Sequence, residues 1–250
     1  MTNRVPIPSV SRQPIVTRVP GHQDIELVYY YERYVGLYEN CEPETKRWFV
    51  EHARPDWVVL DCGANIGYYS ILFARLCSKG KVYAFEPTRT VDMLVGNLRH
   101  CGVENQVEVI PLALGAAIGD FKEDICRLWG SPPERRVYSF TTIDAFVTER
   151  SVRVDAIKID VDSFDLEVLR GATRTLLDQD PFVMVELNHA LSLRQQSVPE
   201  ALKFMAGLGY RECESYDNEN FLFKRSTDTR REGTDIVVRF PGRGAAGVGE

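Results

Sequence analysis

An acid closing an apolar run, followed by two spaced glycines, is the stretch of this chain best suited to chemistry: Val58-Val-Leu-Asp-Cys-Gly-Ala-Asn-Ile-Gly67. A glycine-rich turn between a strand and a helix lets a ligand come close to the backbone. The spacing is G-x-x-x-G rather than the G-x-G-x-x-G that cradles a pyrophosphate, and Asp61 would repel phosphates. A ligand without phosphates and with an amino-acid end fits better. S-adenosylmethionine, with a cationic sulfonium and a ribose–adenine end, is such a ligand. A second acid supports this reading. Glu86 ends the next apolar run, Tyr83-Ala-Phe-Glu-Pro87, 25 residues after Asp61. In Rossmann-like units an acid there accepts hydrogen bonds from ribose hydroxyls.

Such residues need a sheet to hold them. Trp57–Asp61, Lys81–Phe85, Val107–Leu112, Val154–Asp160 and Pro181–Leu187 read as buried strands. Between them fall helices at Tyr68–Cys77, Thr90–Cys101, Ile143–Glu149 (capped by Thr142) and Phe164–Leu177. Ser197-Val-Pro-Glu200 is a capping box with proline in the first turn, and opens a helix to about Gly207. Tyr210–Ser215 and Phe221–Lys224 flank a YDNEN turn as an antiparallel hairpin. Strands apolar on both faces, alternating with helices, predict an α/β fold: a Rossmann-like, doubly wound sheet, mostly parallel, with an antiparallel C-terminal ending. Any ligand should lie beyond the carboxyl ends of the strands.

The sequence divides into residues 1–52, an N-terminal cap or substrate-side segment; 53–225, the ligand-binding domain; and 226–250, a polar, glycine-rich tail expected to be mobile, with a brief strand at Asp235–Phe240. Prolines at 6, 8, 14 and 20 make the first 25 residues irregular or extended. The net charge of −6 over 250 residues leaves no basic excess to displace counterions, which argues against nucleic acid as a partner. No apolar stretch approaches the roughly 18 residues of a membrane span. The six cysteines are scattered with no C-x-x-C, and the four histidines show no metal-ligand spacing. Reduced thiols in a cytoplasm are the expectation.

The chain resembles the FkbM-type methyltransferases. The resemblance rests on VVLDCGANIGYYS (58–70), VYAFEP (82–87), VEVIPLALG (107–115), TTIDAF (141–146), VDAIKIDVDSFDLEVLRGA (154–172) and FVMVELN (182–188), and covers roughly residues 35–225. The family usually has Glu-Gly where this chain has Asp162-Ser163. The resemblance implies a class I methyltransferase that uses S-adenosylmethionine and methylates hydroxyl oxygens, with a small molecule, sugar or glycan as acceptor. It implies that Asp61, Gly63, Asn65 and Gly67 surround the methionine portion and that Glu86 holds the ribose. Ala113 and Leu114 should face the adenine, and Asp160 should stand beside the site of methyl transfer. Glu39 matches an acid preceding the first strand and would lie over the cofactor's amino group.

An aliphatic hydroxyl is a poor nucleophile near neutral pH, so a base or metal near its proton would help. Asp160, Glu186 and His189 are the candidate catalytic residues, with Asn188 beside them. An imidazole's ordinary titration near pH 6.5 suits a general base. Glu186 interrupts an apolar strand, and burial would raise its pKa unless it is paired. Lys158, inside a strand, reads as half of a structural ion pair. Asp162 reads as the N-cap of the helix starting near Phe164, with Asp165 in its first turn. Asp160, Glu186 and Asn188 could hold magnesium, but their spacing is unspecific and no metal site is assigned. Tyr29–Tyr31, Tyr34 and Tyr38 read as core. Ser131–Arg136 reads as a solvated loop whose arginines could meet an anion. Two rival readings remain: a non-catalytic cofactor-binding module or partner subunit, and a nicotinamide-dependent dehydrogenase, against which the absent G-x-G-x-x-G counts.

Overall fold

The computed structural model describes residues 13–32, 35–125, 133–225 and 236–241. Short strands β1 (Ile15–Thr17) and β2 (Ile25–Leu27) pair antiparallel ahead of helices α1 (Val35–Asn40) and α2 (Pro43–His52). Then come β3 (Val58–Cys62), α3 (Tyr68–Leu76), β4 (Lys81–Phe85), α4 (Val91–His100) and β5 (Val107–Ile110). A side sheet follows, built from β6 (Ala113–Leu114), β7 (Gly119–Ile125) and β8 (Glu134–Thr141). Helix α5 (Ile143–Arg150), β9 (Ala156–Ile159), α6 (Asp165–Arg170), α7 (Thr173–Gln179), β10 (Phe182–Glu186) and α8 (Val198–Gly207) lead to β11 (Glu212–Tyr216), β12 (Asn220–Lys224) and β13 (Val237–Arg239).

The main sheet has the order β13-β11-β12-β10-β9-β3-β4-β5. From β10 to β5 every neighbour is parallel, and β12 runs antiparallel to both β10 and β11. This is the expected doubly wound α/β fold with its antiparallel ending. Strand β3 is the pivot: the chain builds outward to β5 on one side, then returns to place β9 and β10 on the other. A crevice opens at such a reversal, outside the carboxyl ends of the strands.

Both sheet faces are covered. Val59, Val82, Ala156 and Met184 face α2, α3 and α4, while Leu60, Ile157, Val183 and Val185 face α5 to α8. The first face also takes in Ile15, Ile25, Leu27, Trp48 and Phe49, so these side chains of the N-terminal segment share the core of the sheet. Asn97, wholly buried in α4, ties this segment down: its Oδ1 accepts from Val28 N (3.0 Å) and Tyr29 N (2.9 Å), and its Nδ2 donates to the carbonyls of Tyr29 and Ile66 (2.8 Å each). Tyr30 and Tyr38 are buried and Tyr29 and Tyr31 pack against the same core, as expected, while Tyr34 lies outside the described residues.

Several expectations change. The helix expected over Phe164–Leu177 is a 3-10 turn at Asp162–Phe164 followed by two helices broken at Gly171. A Cβ on Gly171 would stand 2.0 Å from Gly115 O, so backbone passes close there. Asp144 of α5 caps the second helix from outside, accepting from Arg174 N (2.9 Å) and Thr175 N (2.7 Å). Of the two alternatives for the N-terminal segment, residues 15–17 and 25–27 take the extended one, as β1 and β2. The side sheet was not expected: Tyr138 and Phe140 point inward between exposed Val137 and Ser139, a short alternation. Arg135 and Arg136 therefore lie in β8 rather than in a loop. Of the tail, only residues 236–241 are described, and they include β13.

Candidate active site

A cavity of about 580 Å³ occupies the crevice, within the roughly 300–1,000 Å³ usual for small-molecule sites. Turns following β3, β4, β5, β9 and β10 all reach it. Of the residues singled out in the sequence, Asp61, Gly63, Asn65, Glu86, Ala113, Leu114, Asp160, Glu186 and His189 line it. Gly67 and Glu39 do not. Gly67, at φ +96°, is the residue before α3, and a Cβ there would meet Leu94 Cδ1 at 2.5 Å, so its smallness serves helix packing. Glu39 is exposed on α1.

The carboxylate that does enter from this side is Glu42. It adopts a left-handed backbone (φ +47°) just before Pro43. Its carboxylate accepts from the Tyr68 hydroxyl and from Asn220 Nδ2 (2.8 Å), and lies 3.9 Å from Lys158 Nζ. The sequence holds two acids three residues apart here, and only the turn before the proline distinguishes them.

The 61–67 turn is pinned to its neighbours. Gly63 N and Ala64 N both donate to Phe85 O, at 3.0 and 2.9 Å. A Cβ on Gly63 (φ +88°) would lie 1.9 Å from Asp160 O, so the turn packs against the end of β9 only because the side chain is missing. Glu86 is buried and accepts from Asn65 N (3.0 Å), Thr88 N (2.9 Å) and Thr88 Oγ1 (2.5 Å). Burial pushes its carboxyl up, while those hydrogen bonds and the Arg136 charge pull it down. Arg136 itself donates to Pro87 O (2.5 Å) and lies over the Tyr138 ring, and Arg135 pairs with Asp124.

Electrostatically the cavity is acidic. Lys158, 1% exposed, donates to Asp160 Oδ2 at 2.9 Å and sits 4.4 Å from the Tyr69 ring centre, the structural pair expected for it. Neighbouring carboxylates hold its ammonium in the charged form against burial. Burial lifts Asp61 to about 6 despite the Ser70 hydroxyl on its Oδ2. Burial, with Asp160 and Asp165 nearby, carries Glu186 well above the usual carboxylate range, so it holds its proton at neutral pH. Asn188 is committed: its Oδ1 accepts from Ala190 N (2.8 Å) and its Nδ2 donates to Glu219 (2.9 Å). Asn188 has both amide atoms engaged within the protein, and no group of three acidic, cysteine or histidine side chains suited to a metal occurs among the described residues.

Asp162 is a further departure. It does not cap the helix, and no side chain does; Asp165, the first helical residue, instead accepts from Val161 N at 3.0 Å. Asp162 instead adopts φ +59° and lines the cavity, where burial, Asp160 and Glu86 raise it to about 7. An unfolded aspartate ionises near pH 4, so folding is penalised increasingly from pH 4 to 7 and fully above 7. Asp162→Asn, which tolerates a left-handed backbone, should leave stability unchanged near pH 4 and raise it at pH 8. The rise from 3.8 to about 7 caps that gain at roughly 4 kcal/mol. Melting temperatures of both proteins across that range check it; parallel curves would refute it.

Comparison with known proteins gives the class to which this fold and cavity belong, a methyl-transferring enzyme. The FkbM methyltransferase domain matches residues 61–212. The hexuronic acid methyltransferase AglP of Haloferax volcanii is 32% identical over 195 residues, covering 71% of this chain and 75% of its own. The chain belongs to the FkbM methyltransferase family. Among solved structures, an FkbM methyltransferase from Methylobacillus flagellatus aligns with 17% identity and a TM-score of 0.46, over 78% of this chain and 53% of that one. A precorrin-6y C5,15-methyltransferase from Geobacter metallireducens aligns with 13% identity and a TM-score of 0.49, over 75% and 90%. No helix among the described residues is long and apolar enough to cross a membrane.

Proposed function

We propose that the protein is an S-adenosylmethionine-dependent O-methyltransferase acting on a sugar hydroxyl. One observation carries the cofactor assignment: Asp61, Gly63 and Asn65 on one turn and Glu86 on the next surround a single cavity. The donor set suits the ligand, because carboxylates offer partners to its amino group, sulfonium and ribose. In this reading Glu42 and Asp61 meet the amino-acid end, Glu86 the ribose, and Ala113 and Leu114 the adenine, and all five line the cavity. When bound, the cofactor supplies a methyl group on a cationic sulfur and leaves as the neutral thioether.

The chain's own task is to orient the acceptor oxygen in line and take its proton. Glu186 retains its own proton, and Asp160 is engaged by Lys158. His189, on the cavity side of the turn after β10, is the base. Sugar as acceptor is supported by the substrate named for the archaeal relative. Five free cysteines among the described residues fit a reducing cytoplasm.

Titration calorimetry is the test of the cofactor half: S-adenosylhomocysteine should bind and NAD should not, and the reverse would overturn it. For the chemistry, His189→Ala should lower kcat about 10²- to 10⁴-fold while leaving S-adenosylhomocysteine affinity unchanged. An unaltered kcat would remove His189 from the mechanism.

A further inference from the structure

A groove of about 400 Å³ adjoins the cavity, and the two share Asn188, His189 and Glu219. We propose that this groove is the acceptor subsite and that it takes an uncharged, polyhydroxylated ring in preference to a hexuronate. The inference rests on the methyl-transfer reading above and narrows its substrate.

Its position comes first. A cofactor in the cavity and an acceptor in the groove would meet at the shared residues, where His189 stands. The groove's chemistry follows from its walls: Ser192, Gln196 and Ser197 bring an amide and two hydroxyls, the groups that pair with sugar hydroxyls. Gln196 shows an unmet need. Its Nε2 donates to Glu167 Oε1 at 2.6 Å, but its Oε1 is buried with no hydrogen-bond partner. A buried amide oxygen without a donor is costly, and a ring hydroxyl is a suitable donor.

Charge decides between neutral and anionic rings. Glu219 stands at the junction, with Asp160 beyond it and Asp162, which ionises above about pH 7, beside that. Among the described residues no lysine or arginine lines either space, and His189 is the sole basic side chain that does. The nearby cations are engaged elsewhere: Lys158 with Asp160, Arg170 with Glu167 and Glu200, and Arg194 with Glu123. A uronate carboxylate would enter beside Glu219 with no guanidinium or ammonium to receive it.

The test is methyl transfer from labelled S-adenosylmethionine to nitrophenyl glycosides of glucose, galactose and mannose, and to those of the corresponding hexuronic acids. At least one neutral glycoside should be methylated with kcat/KM tenfold or more above its uronate partner. Ser192→Arg, an exposed position on the groove wall, should bring that ratio down at least tenfold without changing S-adenosylhomocysteine affinity. Gln196→Leu should raise KM for the neutral acceptor. Uronates methylated equally well or better would overturn the inference, as would a ratio indifferent to Ser192→Arg. Transfer to no member of the set, with S-adenosylhomocysteine still bound, would overturn it too while leaving the cofactor assignment standing. Loss of both binding and transfer in the wild-type protein would instead reject the methyl-transfer reading itself.

Discussion

Glu86→Ala should lower affinity for S-adenosylhomocysteine by two to three orders of magnitude while the protein remains folded. Two separate losses combine. The ribose would lose a charged acceptor, and hydrogen bonds to charged groups contribute about 1.5–3 kcal/mol each. The turn would also lose its tether, since Asn65 N and Thr88 N both donate to this one carboxylate. An amide left without an acceptor costs about 1–3 kcal/mol, so a modest drop in melting temperature should accompany the binding defect. Glu86→Gln separates the contributions. It keeps the volume and one acceptor oxygen but turns an N–H group toward a donor, and should bind about tenfold more weakly than wild type. Calorimetry on the three proteins checks this, and wild-type affinity in the alanine variant would contradict the ribose assignment.

Lys158→Met should be the most destabilising single change at the site. The side chain is 1% exposed and faces Asp160 at 2.9 Å and Glu42 at 3.9 Å. Methionine fills similar space but leaves those carboxylates without their cation. Removing one partner of a buried pair costs about 3–5 kcal/mol. The pH dependence has a definite sign. The folded-state pKa of Lys158 is raised, so its contribution is complete everywhere below the ordinary lysine value and is lost only in strong alkali. The variant's deficit should shrink as pH falls from 8 to 5, because Asp61, lifted to about 6, sheds its charge in that interval. Adding Asp160→Asn should recover part of the loss, a coupling that a double-mutant cycle reads directly. A melting temperature within two degrees of wild type at pH 7.5 would refute the account, two degrees being about the smallest shift that 1 kcal/mol produces in a chain of this size.

What could be read in advance follows from range. Strands such as Val58–Cys62 and Lys81–Phe85 are contiguous apolar runs, and Asp61 and Glu86 end them, so cavity walls from consecutive elements were visible. The capping of α5 by Thr142 and of α8 by Ser197 is equally local. Gly63 and Gly67 look alike in sequence, yet one passes the end of β9 and the other packs on Leu94, a difference set by partners 97 and 27 residues away. Glu42 differs from Glu39 only through the turn that Pro43 follows. Asp162 misses the cap because a left-handed backbone there puts it on the cavity wall, while Asp165 ties back to Val161 N. The side sheet was hidden because β7, from Gly119 to Ile125, has no fully buried residue. The break at Gly171 depends on Asp144, a cap supplied by another helix.

Asn97 carries a consequence for anyone shortening this chain. Three of its four hydrogen bonds go to Val28 and Tyr29, and the fourth holds Ile66 inside the 61–67 turn. Truncation past residue 29 would strand a buried amide and loosen the 61–67 backbone, so trimming one end of the polypeptide would act as a lesion at its centre.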